Sequence, residues 1–226
     1  MAEAQSRVVY PAIYGSDSEP PVVHDGTTRL YLSYVCPYAR RAWIAVNYKG
    51  LHGQVQFVPF DLKNRPAWYK EKVYPLNKVP AIEHNNNVTG ESLEVVKYID
   101  ANFDGPKLVP EDPGKKEFAD EMVAYSATFI KVVWGSFSSE GDAATEVGPT
   151  LDHIENCLTK FGDGHFFVGQ FSIADIAYVT FVEKAQVVLL EKKNYDITAG
   201  RPHFKTWIEE MHKIEAYTET KVPPHV

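Results

Sequence analysis

A short extended run that passes directly into a helix decides the fold. The run is Arg29-Leu30-Tyr31-Leu32-Ser33-Tyr34-Val35, and Cys36-Pro37 follows it at once. Its alternating, β-favouring residues predict a strand. Apolar residues then recur at helical spacing as far as Gly50, at Ala39, Ala42, Trp43 and Val46. The sequence therefore predicts a strand that becomes a helix at Cys36-Pro37, with proline at the first helical position.

Two further strands and a hairpin are predicted after this helix. The run from Val55 to Phe60 predicts a second strand, and Val79-Pro80-Ala81-Ile82 begins a third. Asn85-Asn86-Asn87 predicts a tight hairpin turn, because asparagine tolerates the left-handed backbone conformation. Val88-Thr89 returns as a strand, and Ser92 is predicted to cap the next helix. The order β-α-β, then β-β-α, predicts an α/β domain with a mixed sheet that resembles the thioredoxin-like fold.

A second, all-α domain is predicted after a segment rich in proline and glycine, Asp104 to Gly114. We predict an irregular leader at 1–27, a thioredoxin-like domain at 28–104, a linker at 105–112 and an α-helical bundle at 113–226. Pro149 predicts that one helix of the bundle starts or kinks there. Ser172 and Asp175 predict a capping box at the start of another helix, with a hydrophobic staple beside it.

Composition and charge exclude several classes of function. The net charge is −7, with 30 acidic and 23 basic residues mixed along the chain, so no basic stripe favours a nucleic-acid partner. No apolar run of about 18 residues predicts a membrane span, and residues 1–10 lack the apolar segment of a secretory signal. Two cysteines are too few for a disulfide framework and indicate a reducing compartment. We expect a cytoplasmic protein with no metal and no membrane partner.

Cys36 is the residue best suited to carry chemistry. At a helix N-terminus, unpaired N–H groups and the helix dipole stabilise the anionic thiolate, which is the nucleophilic form of cysteine. Arg40 and Arg41 follow within two turns and add to the positive field. Ala39 stands where a second cysteine would allow internal disulfide cycling, so a mixed disulfide at Cys36 needs an outside thiol to resolve it. The alternative is a buried structural cysteine, which is the interpretation favoured for Cys157.

Three nearby hydroxyl groups offer another chemistry, the activation of a bound thiol. They belong to Ser33, Tyr34 and Tyr38. Cysteine is the better nucleophile at neutral pH, so these residues rank below Cys36.

Two more turns carry groups suited to a small peptide. Val79 can offer its backbone N–H and C=O to an extended ligand, although Pro80 is equally consistent with an ordinary edge strand. Ser92 and its N–H can hold a carboxylate, and Glu91 can pair with an ammonium group, although a plain helix cap is the alternative. Together with Cys36, these turns predict a site for a zwitterionic peptide beside a thiolate.

The motifs in both predicted domains resemble the glutathione transferase family. They are Tyr34-Val35-Cys36-Pro37-Tyr38-Ala39, Asn77-Lys78-Val79-Pro80, Gly90-Glu91-Ser92 and Ser172-Ile173-Ala174-Asp175. Three further segments are similar to the plant lambda class in particular: Asp61-Leu62, Arg65-Pro66-Ala67-Trp68-Tyr69-Lys70-Glu71 and Tyr195-Asp196-Ile197-Thr198-Ala199-Gly200-Arg201-Pro202. The resemblance covers residues 25 to 220 or thereabouts.

The resemblance implies a role for individual positions. It places the catalytic cysteine at Cys36, with Pro37 and Tyr38 beside the bound glutathione. It places a backbone-pairing valine at Val79, followed by a cis proline at Pro80. The remaining glutathione contacts fall at Glu91, Ser92 and Lys63, the last of these by similarity to the omega class. Arg40 departs from the glutamine more usual there, which puts the local field at Cys36 in question.

The resemblance implies a thiol transferase, related to the omega class and to dehydroascorbate reductases, that uses glutathione as cosubstrate. Such an enzyme removes glutathione from small aromatic or other glutathionylated acceptors, which are predicted to bind near Phe118 and Trp134. The alternatives are a transferase that conjugates glutathione to electrophiles, a dehydroascorbate reductase, and a carrier of flavonoid-like ligands without catalysis. We expect a monomer.

Overall fold

The computed structural model describes residues 10–221, and four strands within them form one mixed sheet. The strands are β1 (Arg29–Leu32), β2 (Gln56–Pro59), β3 (Ala81–His84) and β4 (Asn87–Gly90). The helices are α1 (Pro37–Tyr48), α2 (Ser92–Asn102), α3 (Pro113–Ser136), α4 (Ala143–Cys157), α5 (Ile173–Lys193), α6 (Pro202–Met211) and α7 (Glu215–Thr218). A π-helical turn covers Tyr69–Val73.

The sheet has the order β2-β1-β3-β4 and confirms the predicted mixed topology. Strand β1 pairs parallel with β2 and antiparallel with β3, which pairs antiparallel with β4. The hairpin between β3 and β4 turns through Asn85 and Asn86, whose φ angles are 51° and 62°. Two successive residues with positive φ match the twist of the flanking strands, so the predicted asparagine turn is confirmed.

The chain divides into two compact units, Met1–Val95 with Glu215–Val226 and Val96–Ile214. The first unit thus contains the sheet and α7, and the second contains the long helices. The domain limits drawn from sequence stay predictions. Residues 1–9 of the predicted leader and 222–226 of the predicted bundle lie outside the described residues.

An aromatic cluster forms the core on one side of the sheet. Tyr31 of β1 stacks on Phe60 at 6.1 Å between ring centroids, and Phe60 lies 4.5 Å from Tyr69 of the π-helical turn. All three rings are almost completely buried. Trp68 and Tyr14 extend this cluster, and the Trp68 indole N–H donates to the Ser18 carbonyl at 2.8 Å. The leader segment around Tyr14 and Ser18 is therefore packed against this aromatic cluster.

The second unit is built around α5, whose N-terminus carries the predicted capping box. The Ser172 hydroxyl accepts from the Ala174 N–H, while the Asp175 carboxylate accepts from the Ser172 N–H at 2.9 Å. Helix α4 begins at Ala143, so Pro149 lies inside the helix and does not start it. Asp142, whose carboxylate accepts from the Thr145 N–H, caps that helix. No helix in residues 10–221 combines the length and apolar character needed to cross a bilayer.

Asp175 is a fully buried carboxyl with four donors. Besides the Ser172 N–H and hydroxyl, it accepts from the Trp207 indole N–H at 2.8 Å and the Phe167 N–H at 3.2 Å. The loss of hydration on burial outweighs these donors and raises the pKa of Asp175 from 3.8 to about 6. The native state therefore binds more protons than the unfolded state between these two pH values.

The raised pKa of Asp175 predicts that its contribution to stability falls as the pH rises from about 4 to about 6. The amide in Asp175→Asn cannot titrate, so the stability of the wild type relative to this variant should decline across this window. The full change is about 3 kcal/mol for a shift of this size. Urea unfolding of both proteins at several pH values measures it. Parallel pH profiles of the two proteins would contradict the prediction.

Candidate active site

One row of paired residues across the sheet brings three predicted site segments to the same edge. Tyr31 in β1 lies opposite Ala81 in β3, and Ala81 lies opposite Gly90 in β4. The chain leaves β1 towards Cys36, enters β3 from Val79-Pro80 and leaves β4 towards Glu91 and Ser92. Adjacent strands are about 4.8 Å apart, so the outer strands of this row are about 10 Å apart.

Cys36 is the N-cap residue of α1, as the sequence predicts. Its backbone is extended (φ −85°, ψ 116°), and Pro37 takes the first helical position. The Cys36 carbonyl accepts the first helical hydrogen bond from the Arg40 N–H at 3.0 Å, while its own N–H donates to the Ser33 carbonyl. The residue is partly exposed. Its side chain thus stands at the positive end of the helix dipole and is accessible to solvent.

Tyr34 is not placed to activate a thiol. It is 3% exposed, and its hydroxyl donates to the Pro11 carbonyl at 2.9 Å. Burial raises the pKa of Tyr34, with a smaller contribution from the neighbouring Tyr10, so its phenolate is disfavoured at neutral pH. Ser33 is also buried, at 3% exposure. Of the three hydroxyl residues, Tyr38 alone is exposed.

The Val79–Pro80 peptide bond is cis, as expected from the resemblance. Val79 is partly exposed, and within residues 10–221 its N–H and C=O take no hydrogen-bond partner. The two preceding carbonyls are held. The Tyr69 hydroxyl donates to the Lys78 carbonyl at 2.7 Å, and the Arg65 guanidinium donates to the Asn77 carbonyl. Hydrogen bonds from Tyr69 and Arg65 therefore hold the segment before Pro80, while the N–H and C=O of Val79 are available to bind a ligand.

The N-terminus of α2 differs from the sequence prediction in its capping residue. Ser92 is the first helical residue, and the Glu91 carbonyl accepts the first helical bond, from the Val95 N–H at 2.9 Å. Glu91 therefore occupies the N-cap position, with a φ of 64°. Local sequence favours serine as a cap. The chain instead leaves β4 with Glu91 in the left-handed region, and the helix starts one residue earlier than a cap at Ser92 would place it. The Ser92 side chain is consequently released from the capping role.

Ser92 and Glu91 have different surroundings. Ser92 is 8% exposed, and its Oγ accepts from Arg41 Nη1 at 3.0 Å. Glu91 is exposed, and its carboxylate pairs with the Lys78 ammonium at 3.2 Å. An exposed pair of this kind contributes about 0–1 kcal/mol, so an incoming ammonium group can displace Lys78 from Glu91.

Among the described residues, no contact joins Lys63, Phe118 or Trp134 to Cys36, Val79, Glu91 or Ser92. Lys63 is exposed in the loop after β2, where its N–H donates to Asp61. Phe118 is 3% exposed and packs on Phe161, an environment typical of a core side chain. Trp134 is 36% exposed and packs on Phe137 and Phe181. Their roles stay predictions.

Sequence reasoning missed the residues that support the site from behind. Tyr69 and Arg65 belong to a segment that resembles the lambda class, but no local pattern indicates that they donate to the carbonyls before Val79. Arg41 is expected to add to the field at Cys36, but no local pattern indicates that it also donates a hydrogen bond to Ser92. Arg40 donates to Thr220 Oγ at 3.2 Å and lies over the Tyr217 ring. Within residues 10–221, no three His, Cys, Asp or Glu side chains are grouped to hold a metal ion.

Comparison with known proteins identifies the family. Residues 30–107 match the model of the glutathione S-transferase N-terminal domain, and residues 111–210 match that of the C-terminal domain. Glutathione S-transferase L3 of Arabidopsis thaliana, a lambda-class protein, is 54% identical, over 95% of this chain and 90% of its own.

Solved structures of this family share the fold. Glutathione transferase Omega 2C from Trametes versicolor has a TM-score of 0.75 at 28% identity, over 86% of this chain and 93% of its own. The trimeric glutathione transferase TDR1 of Leishmania has a TM-score of 0.78 at 26% identity. The match covers 88% of this chain and 46% of TDR1. The thioredoxin-like sheet and the helical unit after it, each predicted from sequence, are therefore those of this enzyme family. The chain belongs to the glutathione S-transferase family and, within it, to the lambda class.

Proposed function

We propose that this glutathione transferase is a thiol transferase that removes glutathione from mixed disulfides and small-molecule adducts. The observation that carries the proposal is the partly exposed cysteine at the N-cap of α1, Cys36, followed by proline and with alanine at position 39. A helix N-terminus is a position that favours the thiolate form of cysteine in general. The alanine leaves the thiolate without a resolving partner in its own helix, so glutathione must complete the cycle.

The proposed reaction with a mixed disulfide is two successive thiol–disulfide exchanges. The Cys36 thiolate attacks the glutathionyl sulfur, a new S–S bond joins Cys36 to glutathione, and the acceptor leaves as a thiolate. A second glutathione thiolate then attacks the glutathionyl sulfur of this adduct, releases oxidised glutathione and regenerates the Cys36 thiolate. With a thioether adduct, the first attack releases the acceptor as a carbanion that takes a proton from water.

The three segments at the sheet edge support binding of the whole tripeptide. An extended tripeptide spans about 10 Å, which matches the distance between the outer strands of the row. The open N–H and C=O of Val79 suit the cysteinyl residue, whose sulfur then lies towards Cys36 and Tyr38. Ser92 and the α2 N-terminus suit the α-carboxylate of the γ-glutamyl residue, and Glu91 suits its ammonium group. Lys63 is proposed as a further contact.

Conjugation of glutathione to electrophiles is the weaker candidate. It depends on a hydroxyl group that activates the glutathione thiol. The Tyr34 hydroxyl donates to the Pro11 carbonyl and its pKa is raised by burial, and Ser33 is buried, so only Tyr38 of the three candidates is exposed. Cys36 instead captures glutathione covalently. We further propose small aromatic acceptors near Trp134 and Phe118, a monomer, and action in the cytoplasm.

Oxidised glutathione should add one glutathione to the wild-type protein and none to Cys36→Ser, as measured by intact-mass spectrometry. The matched control is Cys157→Ser, which should behave like the wild type, because burial raises the pKa of the Cys157 thiol and disfavours its thiolate. An adduct retained by Cys36→Ser and lost from Cys157→Ser would reverse the assignment.

The ratio of two activities should identify the reaction type. We expect turnover of hydroxyethyl disulfide with glutathione that falls by at least about 100-fold in Cys36→Ser, because the nucleophile is removed. Conjugation of a chlorodinitrobenzene should be weak in the wild type. Strong conjugation together with no disulfide turnover would favour the conjugating function instead.

Tyr69→Phe should weaken glutathione binding by about 5- to 10-fold, because the Lys78 carbonyl loses its donor and the Val79 segment loosens; one such hydrogen bond is worth about 1 kcal/mol. Calorimetry with S-methylglutathione measures the affinity. Tyr178→Phe is the matched control, since the Tyr178 hydroxyl also donates to a carbonyl, that of Met122 in the helical unit. Equal affinities for Tyr69→Phe and the wild type would exclude this role of Tyr69.

A further inference from the structure

The buried guanidinium group of Arg41 donates a hydrogen bond to the Ser92 hydroxyl, the group proposed to bind the ligand carboxylate. Arg41, in the second turn of α1, is 3% exposed, and its Nη1 lies 3.0 Å from Ser92 Oγ. Its Cζ also lies 5.4 Å from the centroid of the Tyr38 ring. Arg41 therefore contacts both a neighbour of Cys36 and the first residue of α2, two helix starts at the same edge of the sheet.

The chemistry of the two side chains fixes the direction of their hydrogen bond. A guanidinium group has donors and no acceptor, so Ser92 Oγ must accept. The Ser92 hydroxyl hydrogen is then left for another acceptor, and no acceptor for it occurs within residues 10–221. A positive charge on the oxygen side of a hydroxyl also makes that hydroxyl a stronger donor.

We propose that Arg41 is a positioning residue that turns the Ser92 hydroxyl outward as a donor and thereby makes the site select ligands with an α-carboxylate. The inference rests on the proposed binding of the γ-glutamyl end at Ser92. Arg41 acts through Ser92 and through its charge, and it does not itself touch the ligand. Without it, no charge orients the Ser92 hydroxyl or strengthens it as a donor, and the α2 N-terminus alone remains to hold the anion.

The adjacent arginine provides a matched control. Arg40 is also buried in α1, at 9% exposure, but its Nε donates to Thr220 and its guanidinium lies over the Tyr217 ring. Loss of Arg40 removes a buried guanidinium from the same helix without removing the Ser92 contact. A general effect of losing a buried arginine should therefore occur in both variants, and an effect on carboxylate selection only in the Arg41 variant.

The experiment measures, by calorimetry, the affinity of three ligands that cannot form a disulfide. They are S-methylglutathione, its 4-aminobutyryl analogue without the α-carboxylate, and its glutaryl analogue without the α-ammonium group. The proteins are the wild type, Arg41→Met, Ser92→Ala, the double variant and Arg40→Met. Arg41→Lys replaces Arg41→Met if thermal melting shows that the latter does not fold; its single ammonium is expected to give the same pattern at smaller size.

We expect Arg41→Met to bind S-methylglutathione and the glutaryl analogue about 10-fold more weakly, a typical loss for a hydrogen bond to a charged group. The 4-aminobutyryl analogue should bind both proteins equally, and the double variant should lose no more than Ser92→Ala. Equal losses for all three ligands, additive losses in the double variant, or the same selective loss in Arg40→Met would overturn the role of Arg41. If the wild type binds none of the ligands, the proposed glutathione site itself is wrong, and the inference fails with it.

Discussion

The register between β1, β3 and β4 is the constraint on which the site depends. Because Tyr31, Ala81 and Gly90 lie side by side, the segments that follow β1, precede β3 and follow β4 must emerge at the same edge. A slip of one residue in either pairing would turn every side chain of the strand to the opposite face. Burial of Tyr31 and Ile82 on opposite faces makes such a slip costly. The packing of the sheet therefore determines the geometry of the site.

The same packing also holds the segment that precedes the cis proline. Tyr69 belongs to the aromatic core through its ring and to the site through its hydroxyl, which donates to the Lys78 carbonyl. A ring held between Tyr31 and Phe60 has little freedom, so its hydroxyl keeps a fixed position. The packing of the Tyr69 ring therefore fixes the position of the Lys78 carbonyl and, with it, the backbone N–H and C=O of Val79.

Two helix N-termini and one buried arginine place positive charge at the candidate site. The N-termini of α1 and α2 contribute partial charges close to Cys36 and Ser92, and the buried Arg41 guanidinium donates to Ser92. These groups are fixed before a ligand arrives, so the thiolate and the ligand carboxylate proposed above would meet dipoles that need no rearrangement. The exposed acid, Glu91, is by contrast paired with Lys78, and the proposed binding of a ligand ammonium at Glu91 requires that Lys78 be displaced.

The sequence by itself determined the features that depend on neighbours along the chain. Cys36-Pro37 starts a helix and Asn85-Asn86 makes a two-residue turn, because backbone preferences of adjacent residues are enough to specify them. The tertiary structure alone decided that Glu91, with a left-handed φ of 64°, takes the cap position. It also decided that Arg41 meets Ser92, since two residues far apart in sequence come together only when sheet and helices have packed.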